Sequence, residues 1–104
     1  MTDKFLSFLG ICRRANALCT GHDAVKDAVR SEKAVLVILA SDASPRLERE
    51  MKNLSPGINI LKTDCTMKDI GCAVGKQAGI LAVTDANFAQ PLLKKYEEGI
   101  KYGS

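Results

Sequence analysis

Two stretches of the chain are apolar at nearly every position, and each leads into polar residues that are typical of helix starts. The first covers residues 34–40, and the second lies within residues 78–87. A strand that is buried on one face alternates apolar and polar side chains, so continuous apolar runs predict strands covered on both faces. After the first strand, Ser44 is predicted to cap a helix and Pro45 to occupy its first position.

Helical spacing of apolar side chains predicts two helices before the first of these strands. Thr2 or Asp3 is placed to cap the first helix, which ends at about residue 14. After an extended piece at residues 17–19, the segment TGHDAVKDAVR predicts a second helix, with Thr20 as its N-cap and Asp23 completing a capping box. The predicted core positions of the two helices are Phe5, Phe8, Leu9, Cys12, Val25, Ala28 and Val29.

The second half of the chain continues the alternation of helix and strand. The segment SPG ends the helix that starts at Pro45, and residues 58–62 alternate apolar and polar side chains as a strand near a sheet edge does. Thr66 is predicted to cap a short helix containing two glycines. We expect Pro91 to confine the regular part of the last helix to later residues, and residues 99–104 to fray. The predicted core positions are Leu47, Met51, Leu54, Met67, Ile70, Val74, Phe88, Leu92, Leu93 and Tyr96.

The resulting order, α-β-α-β-α-β-α-β-α, predicts a three-layer α/β/α sandwich with a mixed sheet of about four strands between the helices. The 104 residues are enough for one domain, residues 1–104, and too few for two ordinary ones. The two continuous strands are expected to be parallel and to end at a shared edge, where loops and helix N-termini gather.

Composition narrows the function classes. Only 5% of the residues are aromatic, which argues against stacking platforms for single-stranded nucleic acid. The net charge of +3 is a mild excess, but the basic residues of the first 33 positions could form a local basic face. No stretch approaches the roughly 20 apolar residues of a membrane span, so we expect no membrane partner. The spacing within Cys12/Cys19 and within Cys65/Cys72 does not match a zinc or redox motif, which favours buried thiols, no metal and a reducing cytoplasm.

Two arrangements could carry out a reaction, and each has a simpler structural interpretation. Cys19 and His22 flank a predicted helix start, where a thiol is activated, but no third group orients the imidazole. Asp42 and Asp85 follow the two buried strands, and they could hold a metal or act as acid and base. Capping of the turns that follow explains the two acids with fewer assumptions. No cofactor is expected.

The start of the second helix is a stronger candidate for a binding site. Its backbone N–H groups are free to bind phosphate, and Gly21 has no side chain to block the approach. The segment GCAVGKQAG at residues 71–79 lacks the ending of a P-loop, so it is interpreted as a connection that exposes Lys76, Gln77 and Ala78.

Two long segments of the sequence resemble a known protein family. The segments are FLGICRRANALCTGHDAVKDAVRSEKAVLVILASDASP and DIGCAVGKQAGILAVTDANFAQPL. They are similar to the ribosomal protein superfamily that binds kink-turn RNA, in particular its small bacterial YlxQ-like branch. The resemblance extends from about Lys4 to Leu93. It implies an RNA surface that joins residues 21–26 to residues 75–79, with recognition dominated by RNA shape and phosphates.

The sequence therefore predicts a small, cytoplasmic, non-enzymatic protein that binds structured RNA, such as ribosomal RNA, and associates with proteins of the translation machinery. Gly21 and His22 are expected to donate backbone N–H groups, Asp23 to accept from base edges, and Gln77 and Ala78 to pack on the RNA. The predicted phosphate contacts are Arg13, Arg14, Lys26, Lys33 and Lys76.

Two rival functions remain open on the sequence alone. Kink-turn binders commonly carry asparagine where this chain has Asp23, and lysine where it has Asp27. These acids favour a protein-interaction module with reduced RNA affinity on the same fold. The second rival is a small-molecule or catalytic protein that uses Asp42 and Asp85.

Overall fold

The computed structural model describes the backbone of residues 3–103 and the side chains of residues 3–98. Thr2, which the sequence offered as a cap, lies outside the described residues. The predicted order of elements is confirmed. The elements are α1 (Asp3–Arg14), β1 (Leu18–Thr20), α2 (His22–Arg30), β2 (Leu36–Leu39), α3 (Pro45–Leu54), β3 (Ile60–Lys62), α4 (Met67–Val74), β4 (Ile80–Val83) and α5 (Ala86–Gly103).

The four strands form one mixed sheet in the order β1-β4-β2-β3, with β3 at an edge as predicted. Strand β4 is antiparallel to β1 and β2, whereas β2 and β3 are parallel. Leu39 lies opposite Ile80, so β2 ends where β4 begins. The prediction that these two strands are parallel and end at a shared edge is wrong. The reason is that α4 has only eight residues, and the chain turns at Gly75 and returns to the end of the sheet where α4 started.

The sheet separates two apolar cores, as expected for an α/β/α sandwich. Helices α1, α4 and α5 cover one face, and α2 and α3 cover the other. Side chains of β2 alternate between the two cores: Leu36 and Ile38 point to the first, and Val37 and Leu39 to the second. This alternation is why the strand is apolar at every position, since neither face meets solvent.

The helix starts follow the predicted capping residues at α3 and α4 but not at α2. Ser44 Oγ accepts the N–H of Arg46 at 3.3 Å, and Thr66 forms a capping box with Asp69. Thr20 was predicted to cap α2, with Asp23 completing a capping box, and this is wrong. Thr20 is the last residue of β1, and the N-cap is Gly21, which makes no side-chain cap bond and has φ 93°.

Helix α5 runs through Pro91, so the prediction that Pro91 delays its regular part is wrong. Packing explains why the helix tolerates a missing N–H group. Leu92 and Tyr96 are buried, and the Tyr96 hydroxyl donates to Asp64 Oδ1 at 3.2 Å while accepting the Asp64 N–H at 2.9 Å. Fraying of residues 99–104 stays a prediction, because Ser104 and the side chains of residues 99–103 lie outside what the structure describes.

Candidate nucleic-acid interface

Three helices begin at one end of the sheet. We call this the upper end: β1, β2 and β3 finish there, and β4 starts there. Helix α2 follows Gly21, α3 follows Ser44 and α4 follows Thr66, all within a few residues of the upper end. The N-terminus of a helix carries unpaired N–H groups and a partial positive charge, so it binds anions. Side chains already accept N–H groups at the starts of α3 and α4, whereas the start of α2 has no side-chain cap, so its N–H groups are the ones that suit phosphate.

The start of α2 lies against the connection between α4 and β4, as the sequence predicted. Gly21 N–H donates to the carbonyl of Ile80 at 3.0 Å, and Ala40 N–H donates to the carbonyl of Gly79 at 3.0 Å. The end of the loop at residues 75–79 is thus hydrogen-bonded to the same edge of the sheet as the residue that precedes α2. Two segments that are more than 50 positions apart in the chain therefore meet at the same edge of the sheet.

The loop at residues 75–79 is held in place by helix α4. Gly75 ends α4 in the left-handed conformation with φ 86°, and a Cβ on Gly71 would lie only 2.7 Å from Cγ of Gln77. Lys76 and Gln77 are exposed as predicted, but Ala78 is buried, with 7% of its surface accessible. The prediction that Ala78 is exposed is wrong, because its side chain is already covered two residues before β4 begins at Ile80.

The approach to the start of α2 is open. A Cβ built on Gly21 would have no atom within 4 Å, and the side chain of Asp23 is fully exposed. His22 is half-exposed, and its Nε2 lies 2.5 Å from Oε1 of Glu50 on α3. Lys26 Nζ lies 3.9 Å from the other oxygen of Glu50. Two of the predicted RNA-binding side chains therefore share one carboxylate partner.

These two contacts lower the pKa of the Glu50 carboxyl group. The hydrogen bond from His22 is the main cause that lowers the pKa of the Glu50 carboxyl, desolvation opposes it, and the positive charges of Lys26 and Arg30 add to the lowering. A lowered pKa means that the pair with His22 favours the charged carboxylate.

A basic groove between α2 and α3 was missed by the sequence interpretation. Its volume is about 600 Å³, and its lining residues are Lys26, Arg30, Arg46, Arg49, Glu50, Asn53 and Leu54. The signal was present in the spacing: His22, Lys26 and Arg30 recur every four positions, and therefore lie on one stripe of α2. What the sequence did not show was that this stripe faces the polar side of α3.

The structure does not bring Arg13, Arg14 and Lys33 to the upper end. Arg13 and Arg14 lie in the last turn of α1, and Lys33 follows the end of α2. All three are near the opposite, lower end of the sheet, where the Ala17 carbonyl accepts the N–H of Thr84. Arg14 lines a separate groove between α1 and α4 together with Asp69. The basic face expected from the first 33 residues is therefore divided between two ends of the molecule.

Asp42 and Asp85 lie at opposite ends of the sheet, because β2 and β4 are antiparallel. Asp42 Oδ1 accepts the N–H of Met67 at the start of α4, and Asp85 Oδ1 accepts the N–H of Asn87, both at 2.9 Å. The prediction that each acid caps the turn that follows it is confirmed for Asp85 and wrong for Asp42, which caps the start of α4 because the packing of the sheet brings that helix beside it. The alternative in which they form one catalytic or metal-binding pair is wrong.

The prediction of buried thiols is confirmed for Cys12 and Cys65 and wrong for Cys72, which lies on the solvent side of the short helix α4. Cys12 and Cys65 are buried, Cys19 is half-buried and Cys72 is exposed. Burial raises the pKa of the Cys12 thiol to about 11. Within residues 3–98, no group of three or more His, Cys, Asp and Glu side chains is placed to hold a metal ion. In the described part of the chain no helix combines the length and apolarity that crossing a membrane requires.

Comparisons with known proteins show the family of the chain. The model of the ribosomal protein L7Ae/L30e/S12e/Gadd45 family matches residues 3–93. The RNA-binding protein YlxQ of Bacillus subtilis is 30% identical over 86% of this chain and 92% of its own length. The protein of the same name from Enterococcus faecium is 27% identical over 84% and 85%.

Two solved structures share the fold. A protein of unknown function from Bacillus halodurans superposes with a TM-score of 0.82 at 32% identity, over 91% of this chain and 98% of its own. The 15.5kD RNA binding protein of Giardia lamblia superposes with a TM-score of 0.69 at 20% identity, over 88% and 83%. The second likeness concerns the fold alone.

Proposed function

Because the chain is a YlxQ-like member of the ribosomal protein L7Ae/L30e/S12e/Gadd45 family, we propose that it binds structured, kink-turn-like RNA through the upper end of its sheet. The relatives from B. subtilis and E. faecium are named as RNA-binding proteins. Neither name describes a reaction. The prediction of a non-enzymatic protein is confirmed at the level of the family and its named relatives. Association with the translation machinery and a cytoplasmic location are part of the same proposal.

One observation carries this function: Gly21 N–H at the start of α2 donates to the carbonyl of Ile80, the first residue of β4, which follows the loop at residues 75–79 directly. A bent RNA presents phosphates and displaced bases close together, so a binding surface needs anion-binding N–H groups beside a shaped loop. The open space above Gly21 allows the backbone to approach the RNA closely.

The proposed roles of the side chains follow their positions. The N–H groups of Gly21 and His22 bind phosphate, Asp23 accepts from base amino groups, and Lys26 and Lys76 contact phosphates. Gln77 packs on the RNA, and the buried Ala78 supports the loop from beneath. Arg13, Arg14 and Lys33 are left out, because they lie away from this surface.

The alternative is a protein-interaction module on the same fold. The exposed Asp23 and Asp27 support it, because they place negative charge on the solvent side of α2, where RNA phosphates would come close. If this alternative holds, the chain shows no preference for bent RNA, and its cellular partners stay bound after RNase treatment.

A binding titration tests the proposed function. Wild-type protein is titrated against a kink-turn RNA and against a plain duplex of the same length and base composition, at several salt concentrations. We expect tighter binding to the kink-turn RNA and an affinity that falls as salt rises. Equal affinity for the two RNAs would contradict recognition of RNA shape, and binding to neither would favour the protein-interaction module.

A further inference from the structure

The groove between α2 and α3 continues directly from the proposed RNA surface. Both helices begin at the upper end and pack on the same face of the sheet. His22, Lys26 and Arg30 occupy successive turns of the α2 stripe that faces α3, so the stripe leads from the α2 start into the groove. The groove is therefore an extension of the same surface and not a separate pocket.

The charges of the groove are strongly unequal. Four of its lining side chains are cations: Lys26, Arg30, Arg46 and Arg49. Glu50 is the single carboxylate among the lining residues. Asp27 is one position after Lys26 and therefore about 100° further around α2, which directs it away from the groove. Asp23 and Asp27, the acids that depart from the usual kink-turn pattern, are thus not among the residues that line the groove, whereas the four cations are.

We propose that this groove binds a second stretch of RNA phosphate backbone, and that Glu50 is an internal counter-charge which the RNA displaces. This inference rests on the proposed function, and it adds Arg30, Arg46 and Arg49 to the RNA-binding residues. In the free protein, the carboxylate of Glu50 contacts the side chains of His22 and Lys26. When phosphate enters, it takes over these two partners.

The chemistry of the groove favours RNA over an acidic protein. Three of the four cations are arginines, whose planar guanidinium groups donate two parallel hydrogen bonds to phosphate. Leu54 is the one apolar side chain among the lining residues. The centre of a protein interface is normally enriched in aromatic side chains, and none of the residues that line the groove is aromatic. Arg46 and Arg49 are exposed, which leaves them open to a polyanion.

The first experiment compares two double substitutions that remove the same charge. Arg46→Gln/Arg49→Gln changes the groove, whereas Arg13→Gln/Arg14→Gln changes two exposed arginines at the other end of the sheet. The probe is a kink-turn RNA with long flanking stems, titrated over a salt series. We expect the groove variant to lose affinity at least about tenfold, with the salt slope reduced by about 2, and the control to change much less.

The second experiment removes the counter-charge. Glu50→Gln frees His22 and Lys26, so RNA binding is expected to become about two- to fivefold tighter at low salt. Glu48→Gln is the matched control, since Glu48 is on the same helix and also contacts two cations, Lys52 at 3.2 Å and Lys62 at 3.4 Å. It lies on the β3 side of α3, so its loss should change the affinity less. Circular dichroism and urea unfolding confirm that all variants fold.

The outcomes separate this inference from the proposed function. If the wild type prefers the kink-turn RNA but the groove and control arginine variants bind equally, the groove proposal is overturned and the proposed function stands. If the wild type shows no such preference, the proposed function is overturned, and the groove proposal, which rests on it, is overturned as well. If the groove substitutions weaken binding of a polyglutamate peptide and leave RNA binding unchanged, the groove takes an acidic protein and the RNA proposal is overturned.

Discussion

The two ends of the sheet carry similar sequences but form different surfaces. LASDAS includes the end of β2 at the upper end, and AVTDAN includes the end of β4 at the lower end. In both, the aspartate accepts an N–H at a helix start at 2.9 Å. The upper end adds two more helix starts and the loop at residues 75–79, whereas the lower end has only the start of α5. The aspartate of each motif thus caps a helix, which for Asp42 is the distant α4, and the topology decides whether the motif belongs to a binding surface.

The cations at the lower end have a local explanation. Arg13 and Arg14 lie in the last turn of α1, and Arg30 lies in the last turn of α2. Positive side chains near a helix C-terminus are favourable because the last carbonyl groups carry partial negative charge. Arg13 and Arg14 therefore need no RNA partner to account for their positions. Arg30 differs from them because it also lines the groove between α2 and α3.

The largest effect is expected from Gly71→Val, which would damage the upper end alone. The new Cβ would meet Gln77 Cγ at 2.7 Å and its backbone N at 3.2 Å, so the loop must move. We expect about 3 kcal/mol of lost stability in urea unfolding and a loss of kink-turn RNA binding. Gly57→Ala is the control, because a Cβ there meets nothing within 4 Å, and it should change stability by less than about 0.5 kcal/mol. Unchanged RNA binding in Gly71→Val would remove the loop from the interface.

Gly21→Ala should have the next largest effect. Gly21 has φ 93° and ψ 158°, a region open almost only to glycine, so alanine should cost about 2 kcal/mol and misplace the α2 start. Gly75→Asn is the comparison, because Gly75 has φ 86° and ψ 2°, a left-handed conformation that asparagine tolerates. Urea unfolding should show the larger loss for Gly21→Ala. Equal losses would mean that the backbone conformation at Gly21 is not the limiting feature.

Asp42→Ala and Asp85→Ala compare the two ends directly. Each removes one capping bond of equal length, so each should cost about 1 kcal/mol in urea unfolding. Only Asp42→Ala is expected to weaken binding to kink-turn RNA, because its bond holds the start of α4 at the upper end. An equal loss of RNA binding in both variants would contradict the assignment of the interface to one end.

The smallest effect concerns the pH dependence of stability. The pKa of Glu50 is lowered in the folded state, chiefly by the hydrogen bond from His22. Its contribution is therefore present above the ordinary value of 4.5 and is lost as the pH falls through the lowered value. Glu50→Gln should flatten the loss of stability in acid. His22→Gln should do the same, and the double variant should add little, since either change breaks the pair. Additive effects would show that the two side chains act independently.

The fold was largely predictable because its signals are local. Continuous apolar strands, helical spacing and the caps at Ser44 and Thr66 follow from neighbouring residues, and the structure confirms them. The errors arose where tertiary contacts override local preference. Thr20 pairs with Leu81 in the sheet and so does not cap α2, and the packing of Leu92 and Tyr96 carries α5 through Pro91.

The candidate site was predictable only in part. The resemblance named residues 21–26 and 75–79, and the structure brings these segments together. Two features depend on elements that are distant in sequence: Ala78 is buried, and Lys26 faces Glu50. The groove cations Arg46 and Arg49 look like an ordinary solvated helix face until α2 is seen beside them.

The sequence alone determined which segments are helices and strands, which faces are apolar, and how α3 and α4 begin, because these depend on side chains within a few positions. The tertiary structure alone decided the direction of β4, and with it which helix starts share an end of the sheet. The short α4 and the turn at Gly75 bring the chain back to the upper end, and no pattern in β2 or β4 encodes that return. Hydrophobic burial is satisfied by either strand direction, so only the packed chain selects between them.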